Sequence, residues 1–333
     1  MKKLYKKKKY KNYNSRRSKK GLRKNRKRKN RRYNPFKTFF GRKLRRKNEI
    51  QNISAPEKFS LVENTENTLT YFKTARRFLK KGYPINFDIS NITYLTTDAI
   101  ALQIARIRDE QFHNYNTIYG NAPNEPKLKE LFLQSGFYKH VQTKGPKPSG
   151  ENKLIHKITD KKVEPVIAKE ACITGLKHVF GNEEIFDPLY DILIEIMQNT
   201  NNHAGETRGM YNWWLHVYND PNTNTAKYTF LDLGIGIFES LPVQTYKRRL
   251  ANLIGLTSNT ELVKPLFDGQ IKSRTRRPER GKGIPQVYDS SKDSAFKEFY
   301  LISNDVKVNM KNMNIKKLNN NFSGTLFYWE LSN

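Results

Sequence analysis

The stretch that decides the fold is residues 228–236, with the sequence YTFLDLGIG. Its first four residues are aromatic, β-branched or apolar, which is typical of a buried β-strand. Asp232 follows at once, and Gly234 and Gly236 come shortly after it. Glycine lets the backbone approach a ligand where a side chain would collide. The pattern predicts a strand that ends in a polar turn open to a ligand.

Two further motifs flank this stretch. Glu195 and Asn199 lie four residues apart in a segment with helical apolar spacing, so they share one helix face. The segment 281–283, Gly-Lys-Gly, opens a short helix whose backbone N–H groups suit phosphate oxygens. Each motif alone is more typical of a solvated helix face or an ordinary turn. Their order, together with Gly-Thr in a terminal strand at residues 324–325, favours a nucleotide site.

Taken together, the motifs resemble the GHKL (Bergerat) ATP-binding fold of gyrase-type ATPases, heat-shock chaperones, mismatch-repair ATPases, histidine kinases and anti-sigma-factor kinases. The resemblance covers roughly residues 165–332 and is strongest to the histidine-kinase-like or anti-sigma-kinase type. It implies an α/β fold, with an α+β two-layer sandwich and a mixed sheet in this region. It also implies ATP and Mg²⁺ as cofactors.

The resemblance assigns a role to each motif. Asn199 would be the magnesium ligand, and Glu195 would be the catalytic residue that polarises the water or hydroxyl attacking the terminal phosphate. Asp232 would accept the adenine amino group, and Thr325 would lie beneath the adenine. The remaining predicted nucleotide-binding residues are Gly234, Gly236, Arg274, Gly281, Lys282 and Gly283.

A long connection joins the second and third motifs. Residues 237–280 are too many for a plain loop in a compact domain, and in GHKL proteins the matching stretch contains a mobile lid over ATP. Residues 246–256 are predicted to be helical. Residues 272–282 are basic, and Arg274 and Lys282 are predicted to clamp the triphosphate. A solvated basic loop is the alternative.

The middle of the chain forms a second unit, from residue 57 to residue 142. A β-rich run at 84–92 precedes a helical stretch at 97–107. A second run at 116–120 precedes a short helix at 127–135. This βαβα order predicts a small α/β layer and resembles a STAS domain, the module of anti-sigma-factor antagonists. The resemblance implies a possible protein partner.

STAS domains carry an Asp-Ser pair at the start of the helix, where regulatory phosphorylation takes place. The matching positions here are Thr96 and Thr97, followed by Asp98. Because Thr replaces the Asp of the pair, helix capping by a threonine is the preferred interpretation. Phosphorylation of Thr96 or Thr97 stays open.

The first 48 residues contain 25 Lys and Arg and no Asp or Glu. The whole chain has a net charge of +31, but the other residues hold only 37 basic against 31 acidic side chains. A segment of this composition cannot bury a core and is expected to be disordered when free. Its interleaved Tyr and Phe residues suit RNA or DNA. A membrane surface, an acidic protein or a solubility tail are the alternatives.

Length and composition give the domain organisation. The 333 residues allow two modest domains and a tail: a basic tail at 1–48, a STAS-like domain at 57–142, a linker at 143–164 and a GHKL domain at 165–333. No apolar run is long enough for a transmembrane segment, and no secretory signal is present. The single cysteine, Cys172, excludes an internal disulfide and suits a reducing, cytoplasmic compartment.

The sequence leaves two kinds of function open. One is an enzyme: an ATPase or a Ser/Thr-type protein kinase of the GHKL superfamily, with turnover coupled to lid closure. The other is a nucleotide-controlled binding switch with little turnover, acting in partner switching or on nucleic acid. Glu195 favours turnover. The combination of an ATP module and a basic tail suits bacterial stress signalling, RNA handling or defence.

Overall fold

The computed structural model describes residues 48–114, 118–143, 154–159, 163–203, 211–241, 258–271 and 283–333. Three sequence predictions therefore lie outside the described residues: the disorder of the basic tail up to residue 47, the helix at 246–256 and the basic stretch at 272–282.

Residues 48–143 form an N-terminal unit and residues 154–333 a C-terminal unit. The N-terminal unit contains, in chain order, β1 (Gln51–Ser54), β2 (Lys58–Phe59), α1 (Thr65–Lys80), β3 (Ile85–Asp88), β4 (Tyr94–Leu95), α2 (Thr97–Asn114), β5 (Ile118–Gly120) and α3 (Pro126–Gln134). The C-terminal unit contains β6 (Leu154–Thr159), α4 (Pro165–Phe180), α5 (Asp187–His203), β7 (Tyr211–Asp220), β8 (Thr225–Asp232), α6 (Ile237–Ser240), α7 (Val263–Phe267), α8 (Gly283–Ser290), β9 (Phe296–Asn309) and β10 (Asn314–Leu331).

The chain has the mixed α/β class that the sequence predicts. A small parallel sheet has the order β1-β3-β5, and β2 pairs with β4 in parallel. A five-stranded sheet has the order β6-β7-β8-β10-β9. This larger sheet was expected to be mixed, but its described strands are antiparallel throughout, because short turns join β7 to β8 and β9 to β10.

Two strands lie outside the predicted domain bounds. β1 precedes residue 57, where the STAS-like domain was predicted to begin, and supplies one edge of the small sheet. β6 lies inside the predicted linker at 143–164 and pairs with β7 as an edge of the large sheet. The Gly and Pro residues at 144–150 led to the prediction of a linker. The residues of β6, which follow, instead pair with β7, about 55 residues later in the chain.

Both faces of the five-stranded sheet are buried. We call the face that packs against α4 and α5 the front face, and the face that packs against the N-terminal unit the back face. Neighbouring strand residues enter opposite cores: Trp213 and Phe230 belong to the front core, whereas Trp214 and Leu231 belong to the back core. A sheet covered on both faces has near-continuous apolar strands, and these strands show that pattern.

Helix α2 lies between the two sheets. It contacts β7 and β8 of the large sheet and packs beside α1, which contacts β1 and β3 of the small sheet. Residues 99–105 of α2 are all buried. A helix buried on every side is apolar around its whole circumference rather than on one stripe. The segment at 97–107 therefore serves as a central layer of the molecule.

A polar contact joins the two units at the edge of the back core. The Glu66 carboxylate, in the first turn of α1, accepts hydrogen bonds from the Asn319 N–H (2.6 Å) and the Asn320 N–H (3.2 Å). Lys73 Nζ donates to Asn320 Oδ1 at 3.0 Å. Lys307 Nζ donates to the Val62 carbonyl. The long β9–β10 hairpin is thus fastened to α1 and to the chain before it.

The positions that match the STAS phosphorylation site are largely enclosed. Asp98 is buried, and its Oδ2 accepts hydrogen bonds from the Leu61 N–H (2.6 Å) and the Val62 N–H (3.0 Å). Burial raises the pKa of Asp98, while these hydrogen bonds and one from Thr96 act in the opposite direction. The Thr97 side chain is buried as well. Asp98 therefore fixes the chain that leads into α1.

Candidate nucleotide-binding site

Asp232 ends β8 on the front face of the sheet, opposite Thr325 of β10. Only 5% of its surface is exposed. Oδ1 accepts a hydrogen bond from the Gly234 N–H at 2.7 Å. The Thr200 hydroxyl lies 3.3 Å from Oδ2, but its single proton is shared with the Ile196 carbonyl at 3.1 Å. Thr325 is a further hydrogen-bond donor to this carboxylate, so both oxygens are engaged within the protein and a ligand donor would be an additional partner.

Burial raises the pKa of Asp232 to about 6, while hydrogen bonds from Gly234, Thr200 and Thr325 act to lower it. Desolvation disfavours the charged form of a carboxyl group, and hydrogen bonds from the protein favour it. Since burial prevails, the ionised carboxylate is incompletely compensated by the protein. A ligand that donates a hydrogen bond to Oδ2 would stabilise the ionised form.

The loop after Asp232 is held by β9. The Ile237 N–H donates to Ser303 Oγ at 2.8 Å, and the Ser303 hydroxyl donates to the Gly324 carbonyl at 2.9 Å. Asn304 Nδ2 donates to the Ile235 carbonyl at 2.8 Å. Asn304 has a positive φ of 53°, a conformation that asparagine adopts more readily than most residues. These contacts fix the path of the loop beside the Asp232 carboxylate.

Glycine is required at two positions around this loop. Gly236 has φ 86°, and a Cβ atom there would lie 2.5 Å from Asn304 Oδ1. Gly324 has φ 137°, and a Cβ atom there would lie 2.2 Å from the carbonyl oxygen of Asp232. Both values of φ are ones that other residues rarely adopt. The two glycines therefore allow β9, β10 and the loop to approach each other closely.

Glu195 lies on α5, half-buried beside the start of α8. A Cβ atom at Gly283 would lie 2.6 Å from Glu195 Oε2, so the helix beginning at Gly283 packs against the carboxylate. Burial, and next the negative charge of Asp191, raise the pKa of Glu195. A carboxylate with a raised pKa is a stronger base than an exposed one.

Helix α5 connects the two clusters. Asn199 lies one turn after Glu195 and is partly buried, and Thr200, the next residue, contacts Asp232. One helix thus carries the predicted catalytic residue, the predicted magnesium ligand and a contact to the predicted adenine-binding residue. The structure also brings Gly234, Gly236, Gly283 and Thr325 to these clusters. Three predicted nucleotide-binding residues lie outside the described residues, namely Arg274, Gly281 and Lys282.

Sequence reasoning missed three residues of this arrangement: Thr200, Ser303 and Asn304. Thr200 follows a predicted ligand directly but carries no motif of its own. Ser303 and Asn304 interrupt an apolar run at 299–302. A pair of polar residues at the end of an apolar strand could have indicated a site. Their role is recognised only once β9 is known to lie next to β10.

The described residues contain no group of three or more His, Cys, Asp and Glu side chains that could hold a metal ion. A magnesium ion held by one amide, phosphate oxygens and water needs no such group. In the same part of the chain, no helix has the length and apolar character needed to cross a membrane. No model of a known protein family matches the chain, and no curated protein matches it.

Proposed function

We propose that the protein binds ATP with Mg²⁺ at the front-face site around Asp232. The observation that carries this proposal is the Asp232 carboxylate, which is buried, has a pKa raised to about 6 and is only partly compensated by the hydrogen bonds that it accepts. The adenine amino group is a donor of the required kind. The resemblance to GHKL proteins gives the same assignment.

The residues present fit this ligand. Asp232 accepts the adenine amino proton, and Thr325 lies opposite it in the strand register. The Asn199 amide oxygen is the ligand for Mg²⁺, which neutralises charge on the phosphates when it is bound. Gly283 presents the amino end of α8 to the phosphates. Arg274 and Lys282 are proposed to add positive charge there.

Turnover is the favoured outcome of binding. Glu195 accepts the proton of the attacking water or hydroxyl on its carboxylate, and its raised pKa suits that task. The contact between Gly283 and Glu195 Oε2 holds the carboxylate at the phosphate end of the site. We propose that the reaction is ATP hydrolysis or phosphorylation of a protein Ser or Thr residue.

A binding switch with little turnover is the second candidate, and one observation favours it. The strands that carry the site on their front face pack against the N-terminal unit on their back face. A nucleotide-dependent movement of β8 or β10 would therefore reach α2, which gives the site a route to a binding surface.

The basic tail is proposed to bind RNA or DNA. Its 25 positive charges within 48 residues suit a polyanion, and this part of the proposal is independent of the ATP site. We expect strong salt dependence and weak sequence dependence, because such contacts are mainly to phosphates.

Calorimetry with MgATP tests the site. Asp232→Asn should weaken ATP binding by about 10-fold to 100-fold, because an amide group can place a donor against the adenine amino group and leave it unpaired. Asp268→Asn, at an exposed aspartate, is the matched control and should bind normally. Equal affinity in the two variants would contradict the assignment. Incubation with radiolabelled ATP then separates free phosphate, phosphoprotein and intact bound nucleotide.

A further inference from the structure

The small sheet has an outer face that no described element covers. Asn52 of β1, Asn86 of β3 and Tyr119 of β5 are cross-strand neighbours and form one row across this face. Asn86 Nδ2 donates to Asn52 Oδ1 at 3.1 Å. Tyr119 is 46% exposed. The row therefore presents two linked amides beside one open aromatic ring, whereas the opposite face of the sheet is buried in the back core.

A second row stiffens this face at the ends of the strands. Ser54 and Asp88 are cross-strand neighbours. Asp88 Oδ1 accepts hydrogen bonds from Asn121 Nδ2 (2.6 Å) and Ser90 Oγ (2.7 Å). These hydrogen bonds lower the pKa of Asp88. The carboxylate is thus engaged within the protein, and amides and hydroxyls dominate the exposed groups.

The opposite end of this sheet is positively charged. Arg77, Lys80 and Lys81 are exposed at the end of α1 and have no ion-pair partner among the described residues. The chain then turns into β3, where the Pro84 carbonyl accepts a hydrogen bond from the Gln51 N–H at 2.9 Å. Lys81 is three residues from Pro84, so their Cα atoms are at most about 11 Å apart.

In the sequence, the basic tail leads into the strand β1 at this same end. Residue 48 is the first described residue, and β1 begins at Gln51. The last basic residues of the tail, at positions 45–47, therefore lie only a few residues from the edge strand of the small sheet. The positive charge of α1 thus lies at one end of a polar sheet face with an exposed tyrosine, and in the sequence residues 45–47 are separated from β1 by only three residues, one of them Glu49.

We propose that the outer face of the small sheet is a platform for single-stranded nucleic acid. One base stacks on Tyr119, the Asn52 and Asn86 amides hydrogen-bond the edge of a base, and Lys80 and Lys81 contact phosphates. Unpaired bases offer both a free ring face and free edges, which a duplex does not. This inference rests on the proposed binding of nucleic acid by the tail, which supplies most of the affinity. The platform adds a second contact.

The charge and polarity of this face set its preferred occupant. A membrane surface would be met by several apolar side chains beside basic ones, but the row on this face consists of two amides and one tyrosine, with a single exposed apolar residue, Ile50, just before β1. Tyr119 is the exposed aromatic residue of the face, and an aromatic ring between amides suits a base. Continuity with a segment that carries 25 positive charges makes a polyanion the matching partner.

Fluorescence anisotropy of the full chain with a fluorescein-labelled oligouridylate of about 20 nucleotides tests the stacking contact. Tyr119→Ala should weaken binding about tenfold, and Tyr119→Phe should retain it, because both rings stack. Phe180→Ala is the matched control, since Phe180 is an exposed aromatic residue of the C-terminal unit. Equal affinity of Tyr119→Ala and Phe180→Ala would overturn the platform.

A second pair of variants tests the proposed phosphate contacts of Lys80 and Lys81. The double variant Lys80→Gln/Lys81→Gln should reduce the slope of log affinity against log salt by about 1.4, since each of the two contacts contributes about 0.7 on a single strand. Lys316→Gln/Lys317→Gln changes two exposed lysines of the β9–β10 hairpin and should leave the slope unchanged. Identical slopes for the two double variants would also overturn the platform.

Deletion of residues 1–47 separates this inference from the function of the tail. We expect the truncated chain to lose most of its affinity, with the residual binding still sensitive to Tyr119→Ala. If truncation removes binding and Tyr119→Ala changes nothing in the full chain, the tail binds and the platform does not. Tighter binding to phosphatidylserine vesicles than to oligouridylate, with the same dependence on Tyr119, would assign the face to a membrane instead.

Discussion

The front and back faces of the five-stranded sheet differ most at the end where the candidate site lies. Asp232 and Thr325 face the front, where α5 carries Glu195. Their chain neighbours Leu231 and Leu326 face the back and are fully buried against the N-terminal unit. One step along a strand thus separates a residue suited to ligand binding from a residue that only packs.

The difference shows how a buried carboxylate is tolerated here. Keeping Asp232 ionised in a buried position costs free energy, and the raised pKa is a direct sign of that cost. The apolar packing one residue away, on the opposite face, offsets it. Functional residues often depart from the local rules of folding, and their surroundings compensate. At this end of the sheet, changes to the front face should therefore alter chemistry, and changes to the back face should alter stability.

The largest effect is expected at Glu195. Glu195→Ala should reduce ATP turnover by about 10²–10⁴-fold, because the group that accepts the proton is lost. ATP affinity and thermal stability should hardly change, since the side chain is only half-buried. Phosphate release and calorimetry measure the two quantities, with Glu184→Ala, an exposed glutamate before α5, as control. Unaltered turnover would show that Glu195 is not the catalytic base, whereas a lack of measurable turnover in the original chain would leave the binding switch as the remaining function.

On the back face, Leu231→Ala should lower the free energy of unfolding by about 2–5 kcal/mol, because it leaves a cavity in a closed core. ATP affinity of the folded fraction should stay close to that of the original chain. Ile235→Ala removes a side chain that is largely exposed and should cost far less. Urea titration with fluorescence detection compares them, and equal midpoints would show that the back face is not a packed core.

A smaller change on the front face tests whether the position of the Glu195 carboxylate matters, as distinct from its presence. The methyl group of Gly283→Ala would meet Glu195 Oε2 at 2.6 Å, and the flexible carboxylate can move away. Turnover should fall about 10²-fold as the base is displaced, with little loss of stability. In a Glu195→Ala background the same substitution should have no further effect on turnover. An additive loss in the double variant would show that Gly283 acts independently of Glu195.

The smallest effect is a pH dependence. The pKa of Asp232 is raised to about 6 in the free protein, and adenine binding requires the ionised form. ATP affinity should therefore be constant above pH 6 and should fall about tenfold per pH unit below it, because protons compete for the carboxylate. Calorimetry between about pH 5 and pH 7.5 measures this. Asp232→Asn should show no such break, and a break of equal size in that variant would assign the titration elsewhere.

Features that depend on a local sequence pattern could be predicted from the sequence. The helix predicted at 97–107 is confirmed as part of α2, and the strand predicted before Asp232 is confirmed as β8. The spacing of apolar residues marks both elements directly. The role of Asp232 as an adenine ligand stays a prediction.

Features that depend on distant pairing were not predictable. Thr200 contacts a carboxylate 32 residues away, and the Ser303 hydroxyl receives the Ile237 N–H from 66 residues away. Both contacts require the order of strands in the sheet, which no local pattern gives. The packing of the N-terminal unit on the back face was missed for the same reason, whereas helix α1 was missed although Leu69, Phe72, Ala75 and Leu79 have helical spacing.

The fastening of Glu66 to Asn320 has a consequence for how the chain is made. The two residues are 254 positions apart. Because translation adds about 5–20 residues per second, roughly 10–50 seconds separate the emergence of the two partners from the ribosome. α2 lacks its covering strands until β7 and β8 emerge, and α1 lacks its partner in β10 for the whole interval. We therefore expect apolar surface of the N-terminal unit to stay exposed on the nascent chain until the last hairpin is synthesised.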